Sequence, residues 1–448
     1  MAFYDTWPKL APLVVLIILM VIVVVAHLWQ IVLAKRQQLV CLGATMVPEE
    51  LRGIIPPEIF YRARIYELHK MELRMWKYFV DIILTLIELF FGFYPFVWNL
   101  AVLTLKPLSG AEIWVSVIFV FYMSIYITVR CLPVLLYDKC ILEVRYGTRS
   151  SMPTYCYCLL GLLAVVLAQF LLGPLTMLVV LSVELLGWWF FMWYYLAWAV
   201  LTILMIFLLP YVCIPCVGVQ RRLQPGPLYN EVKVVCDMVG FPMKRVFIIR
   251  TRTTQYSNAY FYGSCCLKRI VIFDTLLLNK GLSASELKPF EVGRGLTNIQ
   301  VAAVVAHELG HWRKGHFYKA TFIMKIHLLL TMLIFGVLFH CKQIYEAIGF
   351  EPGLCPIVVG FIIVMRIAMI PYLTLANFFI LWNLRRFEYS ADRFAHMLGY
   401  SLSLRSALVK IYADHMSFPV YDTCYARWNH THPTILQRLE YQERLDQK

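Results

Sequence analysis

The side chains with the clearest chemical pattern lie in one pentapeptide, His307-Glu308-Leu309-Gly310-His311. Two imidazoles four residues apart project from one face of a helix, as two corners of a zinc tetrahedron require. The Glu308 carboxylate between them is placed to act as general base on the attacking water. Helical spacing over residues 299–316, with Asn298 as N-cap, predicts a helix for this motif. The alternative is a helix whose histidines only satisfy each other.

A zinc site of this type needs a further protein ligand. The extended pattern His-x-x-Gly-x-x-His is excluded, because Lys314 and Phe317 stand where it needs Gly and His. His316 follows His311 by five residues, which on a continuous helix turns it away from the shared face. We therefore interpret His316 as an interfacial histidine.

Glu388 and Asp392 supply the remaining pattern, because they lie four residues apart on one face of a later helix. We expect Glu388 to bind zinc and Asp392 to accept a hydrogen bond from a ligand imidazole. The alternative is a solvated Glu388 paired with Arg385 or Arg386.

The composition indicates an integral membrane protein. Of 448 residues, 60% are hydrophobic and only 15% are charged, which leaves too little polar surface for a soluble monomer. The 13 cysteines are odd in number and several lie in apolar runs, so we expect no disulfide framework. Cys213-x-x-Cys216 favours packing or lipid contact over metal binding.

Seven apolar segments are long enough to cross about 30 Å of hydrocarbon. They are residues 10–34, 78–105, 111–136, 155–180, 188–215, 320–339 and 356–383. The successive segments outside them contain 1, 8, 1, 3, 0, 15, 1 and 9 Lys and Arg residues. Because basic loops stay cytosolic, this alternation predicts a lumenal or exterior N-terminus and a cytosolic metal motif. The net charge of +14 is explained by this retention and by anionic lipid, and no nucleic acid partner is expected.

The predicted fold is an all-α polytopic membrane protein with a cytosolic α+β metalloprotease portion. Residues 1–218 form a membrane bundle of five helices, and 219–319 hold the zinc-protease portion. Residues 320–383 form two more transmembrane helices, and 384–448 a cytosolic helical portion that completes the active site. Within 219–319, residues 245–250 and 269–274 are expected as strands flanking a turn at 257–259. The hairpin of the last two spans returns Glu388 to the membrane face of His311, which favours one shared site.

Four blocks of sequence resemble the type I CAAX prenyl proteases, which are integral-membrane zinc metalloproteases of the gluzincin type. The blocks are Ser257-Asn258-Ala259-Tyr260-Phe261-Tyr262-Gly263 with Lys268-Arg269-Ile270-Val271-Ile272-Phe273-Asp274-Thr275-Leu276, then His307-Glu308-Leu309-Gly310-His311-Trp312, then Arg385-Arg386-Phe387-Glu388-Tyr389-Ser390-Ala391-Asp392, and His432-Pro433 with Arg438-Leu439. The resemblance is dense only from about residue 240 onward. One departure is Val144-Arg145-Tyr146-Gly147-Thr148-Arg149, where the family tends to have Glu-Lys-His-Gly-Phe-Asn, so the role of the loop 137–154 stays open.

The resemblance implies seven helices around a large water-filled chamber, capped by the zinc site. It implies that His307, His311 and Glu388 bind one Zn²⁺ ion and that Glu308 activates the water. Ionisable residues inside the predicted spans are compatible with a chamber, because such groups normally face water or protein. These are Asp81, Glu88, Lys325, His327 and Arg366.

Further roles follow from the resemblance alone. Asn258 would align the substrate backbone, His432 would stabilise the oxyanion, and Arg438 would support the site or meet a carboxylate. On the residues alone, Asn258 is a turn residue and His432 a surface histidine before proline.

The implied activity is removal of the aaX tripeptide from prenylated CaaX proteins in the endoplasmic reticulum or inner nuclear membrane. Some members also make a second, upstream cut. Two alternatives remain: a membrane quality-control zinc protease, and a non-catalytic channel or scaffold with structural zinc. Glu308 separates the last from the others, because a structural site has no use for a general base.

Overall fold

The computed structural model of the protein describes residues 11–105, 112–146, 154–212, 218–251, 258–263, 268–282, 284–287, 292–415 and 417–447. Cys213, Cys216, Ser257 and residues 147–149 of the departing loop lie outside the described residues.

The described chain is mostly helical. Its helices are α1 (Pro12–Gly43), α2 (Pro57–Phe90), α3 (Phe93–Leu105), α4 (Glu112–Leu136), α5 (Glu143–Tyr146), α6 (Thr154–Leu186), α7 (Phe190–Val212), α8 (Pro227–Val239), α9 (Asn298–Arg313), α10 (His316–Phe339), α11 (Lys342–Ala347), α12 (Ile357–Ile363), α13 (Ile370–Met397), α14 (Ser401–Asp414), α15 (Thr423–Asn429) and α16 (Ile435–Asp446). Its strands are β1 (Gly218–Arg222), β2 (Val246–Thr251), β3 (Ala259–Tyr262) and β4 (Arg269–Phe273).

Four described helical segments are long and apolar enough to cross a membrane, namely Pro12–Gly43, Glu112–Tyr146, Phe170–Met205 and His316–Phe339. Two bent helix pairs raise the number to as many as six. They are Pro57–Phe90 with Phe93–Leu105, bent by 63°, and Ile357–Ala368 with Ile370–Met397, bent by 56°. The described helices therefore agree with a polytopic membrane fold, whereas seven spans remain a prediction.

One compact unit comprises Met1–Gln38, Leu68–Leu196 and His327–Ala376. Its core is aromatic: Phe190 packs on Phe339 and Phe335 with ring centroids 5.1 and 6.3 Å apart. Large apolar side chains on its helices point outward, as Leu171 of α6 does, with 74% of that residue exposed. Helices with an apolar exterior suit lipid rather than water.

A buried carboxylate, Glu88 of α2, joins four polar side chains of this unit. It accepts hydrogen bonds from the Tyr94 hydroxyl at 2.9 Å and the Tyr126 hydroxyl at 2.6 Å. Its oxygens also pair with the guanidinium of Arg130 and, at 3.0 Å, with that of Arg366. Since Glu88 is only 2% exposed, its charge is balanced by these partners and not by solvent.

The other unit comprises Leu39–Glu67, Ala197–Ile326 and Asn377–Lys448, and it contains the four-stranded sheet in the order β1-β2-β4-β3. β2 and β4 pair in parallel, and the other neighbours are antiparallel. The strands expected at 245–250 and 269–274 correspond to β2 and β4. The predicted turn at 257–259 is partly wrong, because Ala259 already begins β3, which pairs with β4.

Helix α9 lies in the core of this second unit, where every residue from Val301 to His307 is buried. With Asn298 as the predicted N-cap, the helix would begin at residue 299, but it begins at Asn298. Thr297 is the N-cap, and its backbone N–H donates to the Gln300 side chain at 2.9 Å. A buried helix capped at its start is a rigid support for the residues of its last turns.

Candidate active site

The two motif histidines lie on the second half of α9. Their Nε2 atoms are 3.1 Å apart, and their rings meet edge to face with centroids 4.8 Å apart. This is the arrangement that spacing of four residues on a helix predicts.

Gly310, between the histidines, lets α13 approach α9 closely. A Cβ at this position would lie 3.0 Å from Ala391 Cα and 3.1 Å from Phe394 Cβ, so a larger residue would push the helices apart. The close approach brings Glu388 of α13 to the histidine pair. Its carboxylate oxygens lie 3.5 Å from His307 Nε2 and 3.5 Å from His311 Nε2.

The donor atoms of His307, His311 and Glu388 all lie within 4.8 Å of one another. Ligand atoms of a tetrahedral zinc ion are about 3.4 Å apart, so two imidazole nitrogens and one carboxylate oxygen at these separations fit such an ion. Arg385 instead donates to the Arg427 and His430 carbonyls at 2.7 and 3.0 Å. Arg386 lies over the Trp382 ring. The surface-paired alternative for Glu388 is therefore wrong: Glu388 is 8% exposed and faces the histidines.

Asp392 and Arg438 support His307 from behind. His307 Nδ1 lies 2.9 Å from Asp392 Oδ1, which holds the ring so that Nε2 faces Glu388. Arg438 donates to both Asp392 oxygens, at 2.9 and 2.5 Å, and its Nη1 is 3.6 Å from Glu388. The guanidinium thus compensates two buried carboxylates, a role that spacing along the chain does not predict.

Glu308 turns its carboxylate toward β3. The Phe261 backbone N–H donates to Glu308 Oε2 at 2.9 Å. Burial raises the pKa of Glu308 to about 7. A carboxylate with such a pKa can both take up and release a proton near neutral pH.

A cavity of about 470 Å³ joins these groups. Glu308 and the three possible ligands line it, together with Asn258, His432 and Arg438. His432 is 63% exposed, and its Nε2 is 3.5 Å from Glu388 Oε1. The remaining wall is largely apolar and includes Leu276, Val304, Phe317, Leu384, Phe387, Leu404, Leu408 and Ile411. Asn258 and His432, which are far apart in the sequence, therefore open onto the same space.

His316 does not lie where a continuous helix would place it. Its Nδ1 is 3.0 Å from His311 Nδ1, and the residue is 5% exposed. The chain breaks between α9 and α10 at Gly315, whose φ of +65° is a left-handed conformation that favours glycine. His316 is therefore not in the group of possible ligands, but it contacts the far side of the His311 ring, a contact that a continuous helix does not predict. A Gly four residues after the second histidine was the signal available for it.

Residues 36–218 match the family described as CAAX prenyl protease N-terminal, five membrane helices, and residues 223–445 match peptidase family M48. The chain is 30% identical over 439 residues to the human CAAX prenyl protease 1 homolog, with 92% of each chain covered. The chain belongs to the CAAX prenyl protease 1 family of M48 peptidases.

Two less similar proteins also align along most of the chain. The Saccharomyces cerevisiae CAAX prenyl protease 1 is 25% identical, with 89% of this chain and 88% of the yeast protein covered. The crystal structure of S. mikatae Ste24p matches with a TM-score of 0.75 over 97% of this chain, at 24% identity. The resemblance noted in the sequence is confirmed, and the protein is a multi-pass membrane metalloprotease.

Proposed function

We propose that this protein is a zinc endopeptidase that removes the aaX tripeptide from prenylated CaaX proteins. The observation that carries the proposal is the grouping of the His307, His311 and Glu388 donor atoms beside Glu308 in one cavity. Three protein ligands and a neighbouring carboxylate are typical of catalytic zinc, whereas structural zinc takes four protein ligands. The relatives named CAAX prenyl protease 1 supply the substrate class.

When bound, zinc would polarise the scissile carbonyl and lower the pKa of the attacking water. Glu308 then takes the water proton on its carboxylate and returns it to the leaving amine nitrogen. Its hydrogen bond from Phe261 N–H keeps the carboxylate directed into the cavity. His432, at the exposed rim, donates toward the oxygen that becomes negative during attack.

Strand β3 offers the substrate a backbone to pair with. It is the last strand of the sheet order, so the side that does not face β4 is an edge on which an extended peptide can add. Asn258 directly precedes this strand and lines the cavity, where it is placed to bind the peptide backbone.

The direction of the substrate follows from antiparallel pairing. The Tyr262 end of β3 packs on Phe317, with ring centroids 6.1 Å apart, and Phe317 lies in the first turn of α10. A substrate antiparallel to β3 would begin at that end, beside a helix apolar enough to enter lipid. The prenylated cysteine then lies toward α10, and the aliphatic aaX residues lie toward Leu404 and Leu408 of α14.

Seven spans with the active site toward the cytosol are part of the proposal, as are the four chain regions assigned from the sequence. The alternating Lys and Arg numbers support this orientation. The match of residues 36–218 to a region with five membrane helices supports a multi-span membrane bundle there; four of the predicted spans lie inside the match, and the span 10–34 precedes it. The endoplasmic reticulum and the inner nuclear membrane are the compartments that the family implies.

The test is cleavage of one CaaX peptide, farnesylated or unmodified, by purified full-length protein with measured zinc content. Glu308→Gln is expected to keep zinc and lower the cleavage rate by about 10²–10⁴-fold, because the general base is lost. Glu440→Gln is the matched control, since Glu440 pairs with Arg444 in an exposed i, i+4 salt bridge.

Unchanged cleavage by Glu308→Gln, or activity that survives full removal of zinc by a chelator, would contradict the mechanism. Equal rates on the farnesylated and unmodified peptides would instead favour a quality-control protease.

A further inference from the structure

We propose that His316 is a positioning residue for the metal ligand His311: it accepts a hydrogen bond from His311 Nδ1–H and so holds Nε2 ready for the ion. The inference rests on the proposed zinc site but concerns a residue outside the ligand set. Four features of the described chain lead to it.

The first feature is the direction of the His311 ring. Its Nε2 faces Glu388 Oε1 at 3.5 Å and His307 Nε2 at 3.1 Å, so Nε2 is the ligand atom. An imidazole that binds metal through Nε2 as a neutral ligand carries its proton on Nδ1. That proton needs an acceptor, because a buried N–H without one costs free energy.

The second feature is the acceptor itself. His316 Nδ1 lies 3.0 Å from His311 Nδ1, which is hydrogen-bond distance, and the two rings meet at 75° with centroids 5.0 Å apart. With His311 as donor, His316 must have a bare Nδ1 and carry its own proton on Nε2. One contact therefore fixes the tautomers of both rings.

The third feature is how His316 is held. Its ring stacks on Phe387 with centroids 4.6 Å apart and an interplanar angle of 13°. Phe387 directly precedes the proposed ligand Glu388 on α13. His316, which contacts His311, is therefore held by the residue next to Glu388. The helix break at Gly315, described above, brings the His316 ring onto this face.

The fourth feature is charge. His307 is backed by a carboxylate, Asp392, whose charge Arg438 compensates. A second carboxylate behind His311 would add another negative charge to a buried group that already contains Glu308 and Glu388. An imidazole supplies the acceptor without that charge, which explains why the two ligand histidines have different supports.

The experiment measures the zinc dissociation constant of purified full-length protein by competition with a chelator. His316→Leu and His316→Asn form a matched pair, because the two side chains are alike in size and only Asn retains an acceptor oxygen. Loss of a partner behind a metal-binding histidine typically weakens metal binding by about 10–100-fold, so His316→Leu is expected to fall in that range. His316→Asn is expected to recover most of the loss.

His316→Phe keeps the ring that stacks on Phe387 and should weaken zinc binding as His316→Leu does. Unfolding temperatures of the metal-free proteins show whether each variant is folded. The inference is overturned if His316→Leu and His316→Phe bind zinc within about twofold of the wild type, or if His316→Asn is no better than His316→Leu. Wild-type protein that binds no zinc would instead refute the proposed function itself, so the two failures are distinguishable.

Discussion

Two buried glutamates of this protein differ in what surrounds their carboxylates. Glu88, in the first unit, accepts hydrogen bonds from two tyrosines and pairs with two arginines. Glu388, in the second unit, faces two imidazole nitrogens at 3.5 Å, a separation longer than a good hydrogen bond. Both residues are less than 10% exposed, so burial alone does not distinguish them.

The difference lies in unused lone pairs. Four hydrogen-bond donors surround the Glu88 carboxylate, so few of its lone pairs are left to bind a metal ion. Its role is to connect helices. Glu388 keeps its oxygens directed at the point that His307 and His311 also face. A buried carboxylate that lies near other possible metal ligands without hydrogen bonding to them therefore indicates an ion site. A buried carboxylate whose oxygens are all taken up by hydrogen bonds and ion pairs indicates a structural contact between helices.

The comparison predicts its largest effect at Glu388. Glu388→Ala removes one of the three proposed ligands, so zinc content should fall and cleavage should drop by about 10³-fold or more, since the metal contributes several kcal/mol to the barrier reduction. The measurements are metal analysis and peptide cleavage on purified protein. Tight zinc binding by this variant would show that Glu388 is not a ligand.

Glu88→Gln is expected to act on stability and not on the metal. The amide removes the carboxylate that pairs with the half-buried Arg366 and one of the two that pair with Arg130, which keeps Asp81 at 2.8 Å. The free energy of unfolding should fall by about 3 kcal/mol, the low end of the range for breaking a buried ion pair. Denaturation in detergent measures this loss, with the exposed Glu184→Gln as control. Zinc per folded molecule should equal that of the wild type, and a drop in it would remove the contrast between the two glutamates.

Tyr126→Phe gives the smallest expected effect, because it deletes one hydrogen bond to Glu88 and leaves the other three partners. The same denaturation assay should report a loss of about 1.5 kcal/mol in the free energy of unfolding, the low end of the range for a hydrogen bond to a charged group. An unchanged free energy of unfolding would mean that the Tyr126 hydrogen bond to Glu88 does not stabilise the protein.

Local pattern was sufficient for the chemistry that lies on one helix. The spacing of His307 and His311 follows from 3.6 residues per turn, and the intervening Glu308 is carried with them. The choice of Glu388 depended on a longer argument, the return of a membrane hairpin, and the structure brings its carboxylate to the histidines. Strands β2 and β4 follow from their β-branched runs, whereas β1 has a single β-branched residue and β3 has none, so neither carries that pattern.

The sequence by itself determined the membrane character, the metal-binding pattern and the family, because composition and helical spacing depend only on which residues follow one another along the chain. What only the tertiary structure decided was which groups support the ligands. Arg438 reaches Asp392 across 46 positions of chain, and His316 reaches His311 because the backbone breaks at Gly315 between two helices. Such contacts depend on where helices break and how closely they pack, and neither is encoded in the period of one segment.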